Sequence, residues 1–185
     1  MKLDPNEHNF IVAHLGGGIS VAPVKGGRII DVNDASSDGP FSPERTGSLP
    51  LQPFIDLCFS GEFTKKEIQQ MVMGKGGLAA YLETTDAREI ERRINAGDTR
   101  AGEVFAAMAY QIAKEIGAMA CVLSGDISAI VLTGGLARSK LLVEMISSRI
   151  KFIAPIKIIA GELEMEALAA GAWRVLTGQE RARRY

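Results

Sequence analysis

The sequence has little cysteine, almost no net charge and no long apolar run. Its two cysteines, Cys58 and Cys121, are too far apart for a disulfide framework or a metal site, and their apolar neighbours predict small buried side chains. The 21 Lys and Arg nearly cancel the 22 Asp and Glu, so no long-range field would attract a nucleic acid. No apolar segment approaches the roughly 20 residues that span a bilayer, and no basic start precedes an apolar run. We therefore expect a protein of the reducing cytoplasm that binds neither nucleic acid nor membrane.

Length and composition predict a single globular domain. The chain has 185 residues, of which 46% are hydrophobic and 6% aromatic, and this composition can bury a sizeable core. No internal repeat, low-complexity tract or linker divides the chain.

The first 35 residues alternate short apolar runs with glycines. The runs cover residues 10–13, 19–24 and 28–32, which is typical of a meander of three strands. Four of the seven prolines follow, namely Pro40, Pro43, Pro50 and Pro53. So many breakers predict a loop over residues 34–53.

Helical patterns and then an alternation of strands and helices fill the rest of the chain. Thr64 with Glu67, and Asp86 with Glu89, have the spacing of capping boxes, and residues 99–123 form a long amphipathic pattern. Strands are predicted at residues 129–132 and 156–159, and helices at 139–150 and 163–176. Because such alternation indicates parallel pairing through crossovers, the fold class is predicted to be α/β, with a mixed sheet of about five strands flanked by helices.

The first candidate site is the segment His14-Leu-Gly-Gly-Gly-Ile-Ser20. Gly16, Gly17 and Gly18 lack a Cβ, so their backbone N–H groups could approach an anion such as phosphate. A tight hairpin beside a core histidine explains the same residues equally well.

A second glycine pair, Gly134 and Gly135, ends the strand that contains Thr133 and leads toward a helix beginning near Ser139. Ligands in open α/β sheets bind beyond the carboxyl ends of strands, and a helix N-terminus adds donors for an anion. Alone, this pair is better explained as an ordinary strand-to-helix turn. Two such turns together favour a bound nucleotide, because its phosphates and its nucleoside need separate contacts.

Two charged segments complete the set of candidates. Prolines restrict the loop around Arg45, which could hold its guanidinium against a transferring phosphoryl group; the alternative is an ion pair with Glu44 or Asp38. Glu162 or Glu164, before the last helix, could help to hold Mg²⁺, although acidic residues there also suit the helix dipole.

Taken in order, four segments resemble the acetate and butyrate kinase family. They are residues 14–20, Gly39-Pro-Phe-Ser-Pro-Glu-Arg-Thr-Gly47, Ile130-Val-Leu-Thr-Gly-Gly135 and Gly161-Glu-Leu-Glu-Met-Glu-Ala-Leu168. The likeness runs from about Phe10 to Tyr185 and is closer to butyrate kinases, because Gly17 stands where acetate kinases carry Asn. The resemblance implies a ribonuclease H-like domain of the superfamily of sugar kinases, Hsp70 and actin.

The resemblance also implies roles for particular residues. His14 and Gly16 to Gly18 would bind phosphate, and Arg45 would stabilise the transferring phosphoryl group. Asp86 and Arg88 would approach the adenosine, although Asp86 is also placed to cap a helix. Thr133, Gly134 and Gly135 would form the adenosine motif, and Glu162 would lie near the metal.

The implied function is reversible phosphoryl transfer from ATP to a short-chain carboxylate, with Mg²⁺, giving ADP and an acyl phosphate. Family members carry a complete domain before the His-Leu-Gly strand, so the chain is expected to be a C-terminal nucleotide-binding half, inactive without an N-terminal kinase domain and paired as a homodimer. The alternative is a non-catalytic nucleotide-binding or dimerisation module of the same fold. A dinucleotide-dependent oxidoreductase is disfavoured, because no G-x-G-x-x-G follows a first strand.

Overall fold

A computed structural model describes residues 4–161 and 164–182. The strands are β1 (Phe10–Leu15), β2 (Ile19–Lys25), β3 (Arg28–Ile29), β4 (Ala129–Gly134) and β5 (Ile156–Ala160). The α-helices are α1 (Leu51–Cys58), α2 (Lys65–Val72), α3 (Gly77–Leu82), α4 (Ala87–Asn95), α5 (Thr99–Val122), α6 (Lys140–Ile150) and α7 (Glu164–Leu176). A short 3-10 helix, Gly135–Arg138, joins β4 to α6. Within the described ranges, no helix has both the length and the apolar character needed to cross a membrane.

The strands form one mixed sheet in the order β3-β2-β1-β4-β5. The meander β1-β2-β3 is antiparallel, whereas β1 with β4 and β4 with β5 pair in parallel. His14 lies opposite Thr133 in the parallel ladder, so β1 and β4 end side by side. The predicted fold class, an α/β domain with a mixed sheet of five strands, is confirmed.

The core forms where α5 packs against the sheet. Asp98 caps this helix by accepting the Ala101 N–H at 2.9 Å, and the apolar stripe that predicted the helix is buried. Phe105, Met108 and Ile112 are each 0% exposed. Fully burying each such side chain stabilises the fold by about 1.5–3 kcal/mol before entropy is counted, so α5 is the main packing element.

The third strand is shorter than predicted, because an asparagine side chain takes over its pairing. The Asn33 carboxamide oxygen accepts the Val21 N–H at 2.6 Å, and its nitrogen donates to the Ile19 carbonyl at 3.0 Å. These bonds satisfy the edge of β2 where the rest of a third strand would have paired. The strand therefore stops at Ile29 instead of reaching residue 32.

The prediction that both cysteines are buried is wrong. Cys58 and Cys121 are free and exposed. Cys58 ends α1, a helix in which no residue is buried, and Cys121 lies off the stripe by which α5 faces the core. Apolar neighbours in sequence did not report which face of each helix meets the core.

Two other local predictions need correction. Helix α1 begins at Leu51 inside the predicted loop, because Pro53 falls in its first turn, where a missing N–H costs nothing. Thr64 and Glu67 do form the capping box on α2. The second box is incomplete: Asp86 caps α4, but its own N–H donates to the Thr84 hydroxyl at 3.2 Å and not to Glu89.

Candidate functional site

The two glycine turns lie at the same edge of the sheet. We call residues 16–18 the first glycine turn and Gly134-Gly135 the second glycine turn; they follow the parallel neighbours β1 and β4. Gly134 has φ +91°, and a Cβ there would lie 2.5 Å from the Leu15 carbonyl oxygen. Only glycine allows this approach, so the turn brings the ends of the two strands into contact.

A cleft of about 530 Å³ opens between these turns, which we call the main cleft. Its walls come from Gly16 and Gly17, from residues 85–88 at the start of α4 with Glu91 one turn further along, and from Gly135, Leu136, Arg138 and Ser139 between β4 and α6. Pro43 completes the lining. The volume lies in the range of sites for small organic ligands and cofactors.

Of the predicted site residues, Gly16, Gly17, Asp86, Arg88 and Gly135 line the main cleft. A second cavity of about 380 Å³, here the small cavity, shares Gly16 and Gly17 with the main cleft and is also lined by His14, Gly18 and Arg45. Thr133 lies beside His14 within the sheet, and Gly134 packs on Leu15. Glu162 lies outside the described residues.

Close packing of side chains explains the first glycine turn better than backbone conformation does. None of its three glycines has a positive φ. A Cβ at Gly18 would overlap the Arg45 guanidinium, one at Gly17 would lie 3.2 Å from a Glu44 carboxylate oxygen, and one at Gly16 would lie 3.0 Å from His14 Nε2. The N–H groups of Gly17 and Gly18 donate to no acceptor among the described residues, so both are available to an anion.

Arg45 is held beside this turn by its loop. The Ser42 hydroxyl donates to the Gly17 carbonyl at 2.5 Å, and the Arg45 backbone forms a bridge with Met73. Arg45 Nη1 donates to the Ala35 carbonyl at 3.0 Å, whereas its buried Nε has no hydrogen-bond partner among the described residues. A buried guanidinium N–H without a partner is costly, so a bound acceptor would stabilise this arrangement.

The alternative role for Arg45, an ion pair with Glu44 or Asp38, does not occur. The Asp38 carboxylate instead accepts the Ser48 hydroxyl and the Gly39 N–H, each at 2.6 Å. These two hydrogen bonds, the Ser48 bond first, hold the pKa of Asp38 below its ordinary value. Asp38 is therefore committed to its own turn.

Asp86 and Arg88 form an ion pair on the wall of the main cleft. Arg88 Nη2 lies 2.7 Å from Asp86 Oδ2, and the Arg88 side chain is 91% exposed. Asp86 also caps α4 by accepting the Arg88 N–H at 2.9 Å. The Arg88 side chain, followed by this backbone bond, lowers the pKa of Asp86 to about 2. Asp86 is thus ionised at any ordinary pH. It both caps α4 and lines the main cleft.

Sequence reasoning missed a pair that joins two walls of the main cleft. The Ser139 hydroxyl donates a short hydrogen bond to Glu91 Oε1 and accepts the Leu142 N–H at 3.0 Å, so it also caps α6. Glu91 lies one helical turn beyond Ala87 on α4. That spacing places Glu91 on the same face of α4 as Ala87, which also lines the main cleft. The spacing could have been read from the sequence.

The described residues contain no group of three or more His, Cys, Asp or Glu side chains placed to hold a metal ion. The predicted metal residue, Glu162, falls outside them. The described residues are suited to anion binding by backbone N–H groups and Arg45, beside a cleft with one carboxylate–guanidinium pair.

Comparison with known proteins places these features in a family. The chain matches the acetokinase family over residues 1–165. It is 59% identical over 184 residues to probable butyrate kinase 2 of Caldanaerobacter subterraneus subsp. tengcongensis, covering 100% of this chain and 52% of that protein. It is 51% identical over 183 residues to a probable butyrate kinase of Listeria monocytogenes serotype 4a, covering 98% of this chain and 52% of that protein. The chain thus spans about half the length of these curated relatives.

Solved structures agree on the fold. Acetate kinase from Porphyromonas gingivalis superposes with a TM-score of 0.84 at 22% identity, covering 94% of this chain and 50% of that one. A propionate kinase from Francisella tularensis superposes with a TM-score of 0.77 at 23% identity, covering 85% of this chain and 47% of that one. The resemblance drawn from the four sequence segments is confirmed.

Proposed function

Because the chain belongs to the acetokinase family, we propose that it is the C-terminal, nucleotide-binding half of a butyrate kinase. The complete enzyme would transfer a phosphoryl group reversibly from ATP to butyrate, giving ADP and butyryl phosphate. The observation that carries this proposal is the meeting of both glycine turns at the main cleft. The names of the 59% and 51% identical relatives support butyrate as the acceptor.

In this proposal, the first glycine turn binds the phosphates and Arg45 stabilises the phosphoryl group as it is transferred. The N–H groups of Gly17 and Gly18 and the Nε–H of Arg45 are three donors without acceptors among the described residues. Phosphoryl transfer depends mainly on positioning and on stabilising charge that develops on phosphate oxygens. A guanidinium fixed by its loop supplies that charge without having to reorganise.

The nucleoside would lie toward α4 and the second glycine turn. Asp86 and Arg88 form that wall of the main cleft, and the Glu91–Ser139 pair joins it to the start of α6. The low pKa keeps Asp86 an acceptor at all physiological pH values. We therefore assign nucleoside binding to Asp86, Arg88 and the second glycine turn.

Magnesium would enter with the nucleotide, since Mg²⁺ is usually held by substrate phosphates, waters and one or two carboxylates. The described residues do not supply a set of ligands, so no step of the proposal passes through the metal. Glu162 keeps its proposed place near the metal.

The complementary half would supply the second surface needed to close around the reacting groups. The chain covers about 52% of its relatives, so we propose that it binds nucleotide but does not turn over alone.

Exposed apolar residues on α1, with Leu51 75% and Ile55 47% exposed, support pairing through this half as a homodimer. The two exposed free cysteines fit a reducing cytoplasm. If the chain binds nucleotide and never transfers phosphate, the alternative of a non-catalytic module takes over.

Two measurements test the proposal. Calorimetry should detect ADP binding to the chain alone, and Gly17→Ala should weaken it, because the new methyl group would press on the Glu44 carboxylate and displace the turn that lines the cleft. Gly102→Ala, on α5 with open space around it, is the matched control.

The second measurement mixes the chain with the complementary half of the Caldanaerobacter relative. Trapping with hydroxylamine should then reveal acyl phosphate formed from ATP and butyrate. No ADP binding, together with no product from two folded halves, would refute the proposal.

A further inference from the structure

Among the described residues, the main cleft is lined by two carboxylates, Asp86 and Glu91, which differ in their free acceptor capacity. A carboxylate offers about four lone-pair sites to donors. Asp86 Oδ1 accepts the Arg88 backbone N–H at 2.9 Å and its Nε–H at 3.0 Å. Asp86 Oδ2 accepts the same Nε–H at 3.2 Å and an Nη2–H at 2.7 Å. Arg88 therefore uses most of the capacity of Asp86.

Glu91 has one oxygen occupied and one open. Its Oε1 accepts the Ser139 hydroxyl, whereas Oε2 has no hydrogen-bond or ion-pair partner among the described residues. Ser139 also accepts the Leu142 N–H at 3.0 Å at the start of α6, which fixes the position of its hydroxyl. Because Ser139 holds Glu91 from the facing wall, Oε2 is a fixed acceptor on the wall of the main cleft.

Of the parts of an adenine nucleotide, the ribose suits this acceptor best. A phosphate would be repelled by the carboxylate, since both are negative. The edge of adenine that carries the N6 amino group also carries the N1 lone pair, which a carboxylate would repel. Ribose hydroxyls are donors without that drawback, and acidic side chains bind a ribose hydroxyl in dinucleotide-binding folds.

We propose that Glu91, held by Ser139, recognises the ribose hydroxyl groups of the bound nucleotide and so selects nucleotides with an intact ribose. Oε2 accepts a hydrogen bond from one of these hydroxyls. This inference rests on the proposed function in taking an adenine nucleotide as the ligand of the main cleft. Glu91 is then a specificity-determining residue beside Asp86 and Arg88.

Calorimetry with ADP, 2′-deoxy-ADP and 3′-deoxy-ADP tests the role of Glu91. Wild type should bind at least one of the deoxy analogues about tenfold more weakly than ADP, because a hydrogen bond to a charged acceptor is lost. Glu91→Gln keeps an oxygen for the Ser139 hydroxyl but places an amide NH₂ group at the position of Oε2. The preference for ADP should then be largely lost, since that group carries no charge and is not an acceptor.

Glu144→Gln makes the same change at an exposed position of α6 outside the cleft, so it is the matched control and should keep the preference for ADP. Each comparison is a ratio of affinities within one variant. Partial unfolding weakens the binding of all three ligands alike, so it does not imitate the expected result.

Equal affinity of wild type for ADP and both analogues would overturn the inference, as would an unchanged preference in Glu91→Gln. A preference of wild type for GDP that disappears in Glu91→Gln would also overturn it, because Glu91 would then contact the N–H groups of a guanine base. The two proposals fail differently. No ADP binding by wild type defeats the nucleotide site, whereas retained ADP binding with the same preference in Glu91→Gln defeats only the role of Glu91.

Discussion

Helices α5 and α7 have the same sequence pattern and opposite environments. Both carry apolar residues three or four apart, yet Phe105 on α5 is 0% exposed and Trp173 on α7 is 64% exposed. The stripe of α5 meets its own sheet, and the stripe of α7 meets nothing described here. Periodicity therefore predicts that a helix has a packing face, but it does not say whether the partner belongs to the same part of the chain.

The largest expected effect is a difference between the two stripes in their contribution to the free energy of unfolding. Phe105→Ala should lower the free energy of unfolding by about 3–5 kcal/mol, because it opens a cavity in the core. Trp173→Ala should change it by less than about 0.5 kcal/mol, as expected for an exposed side chain without partners. Urea denaturation followed by circular dichroism measures both. A loss above about 2 kcal/mol for Trp173→Ala would mean that α7 packs on its own domain.

Arg45 is the polar counterpart of the α7 stripe, because its Nε has no hydrogen-bond partner among the described residues. In the reconstituted enzyme, Arg45→Ala should lower kcat by roughly 100-fold or more while ADP affinity changes little, because the guanidinium acts chiefly in the transition state. Steady-state kinetics and calorimetry provide the two readouts. A large loss of affinity with unchanged kcat would reassign Arg45 to ground-state binding of the nucleotide.

Two helix caps, Ser139 and Thr64, differ in whether they also lie at the main cleft, and a smaller effect is expected for them. Ser139→Ala and Thr64→Ala should each cost about 1 kcal/mol, since each removes a side-chain acceptor at a helix start. Only Ser139→Ala should also weaken ADP binding, because Ser139 holds Glu91 on the wall of the main cleft and Thr64 does not line it. Equal ADP affinity in the two variants would show that the Glu91–Ser139 pair is structural.

The smallest expected effect concerns pH. The folded-state pKa of Asp86, about 2, lies below its ordinary value of 3.8, so its stabilising contribution is complete above about pH 4 and disappears as pH falls through 2. Asp86→Asn should therefore lower Tm slightly near neutral pH, and its difference from wild type should shrink between pH 4 and pH 2. A constant difference across that range would mean that the charge of Asp86 does not contribute.

The sequence predicted what depends on local pattern. The sheet, the capping box on α2, the long helix and both glycine turns could be predicted, because periodicity, caps and breakers act over a few residues. Helix α1 was missed since prolines look like breakers even where the first turn tolerates them. Apolar neighbours predict both cysteines in the core, because such neighbours do not report which face of a helix a residue occupies.

Contacts between distant segments could not be predicted. The hydroxyl of Ser42 reaches Gly17, and that of Ser139 reaches Glu91, across 25 and 48 residues respectively. No pattern within either segment specifies such a pair. Position 18 must be glycine because the Arg45 side chain packs against it in the folded protein. This contact between distant residues could not be predicted from the sequence either.

Asn33 leaves the two edges of the sheet unequal. Its side chain occupies backbone groups of β2 beside the two-residue strand β3, whereas β5 has no further strand beyond it in the described residues. Open strand edges are where proteins add strands from other molecules. Pairing of two molecules through β5 would occupy this edge in both, so misassembly through it should favour dimers over longer assemblies.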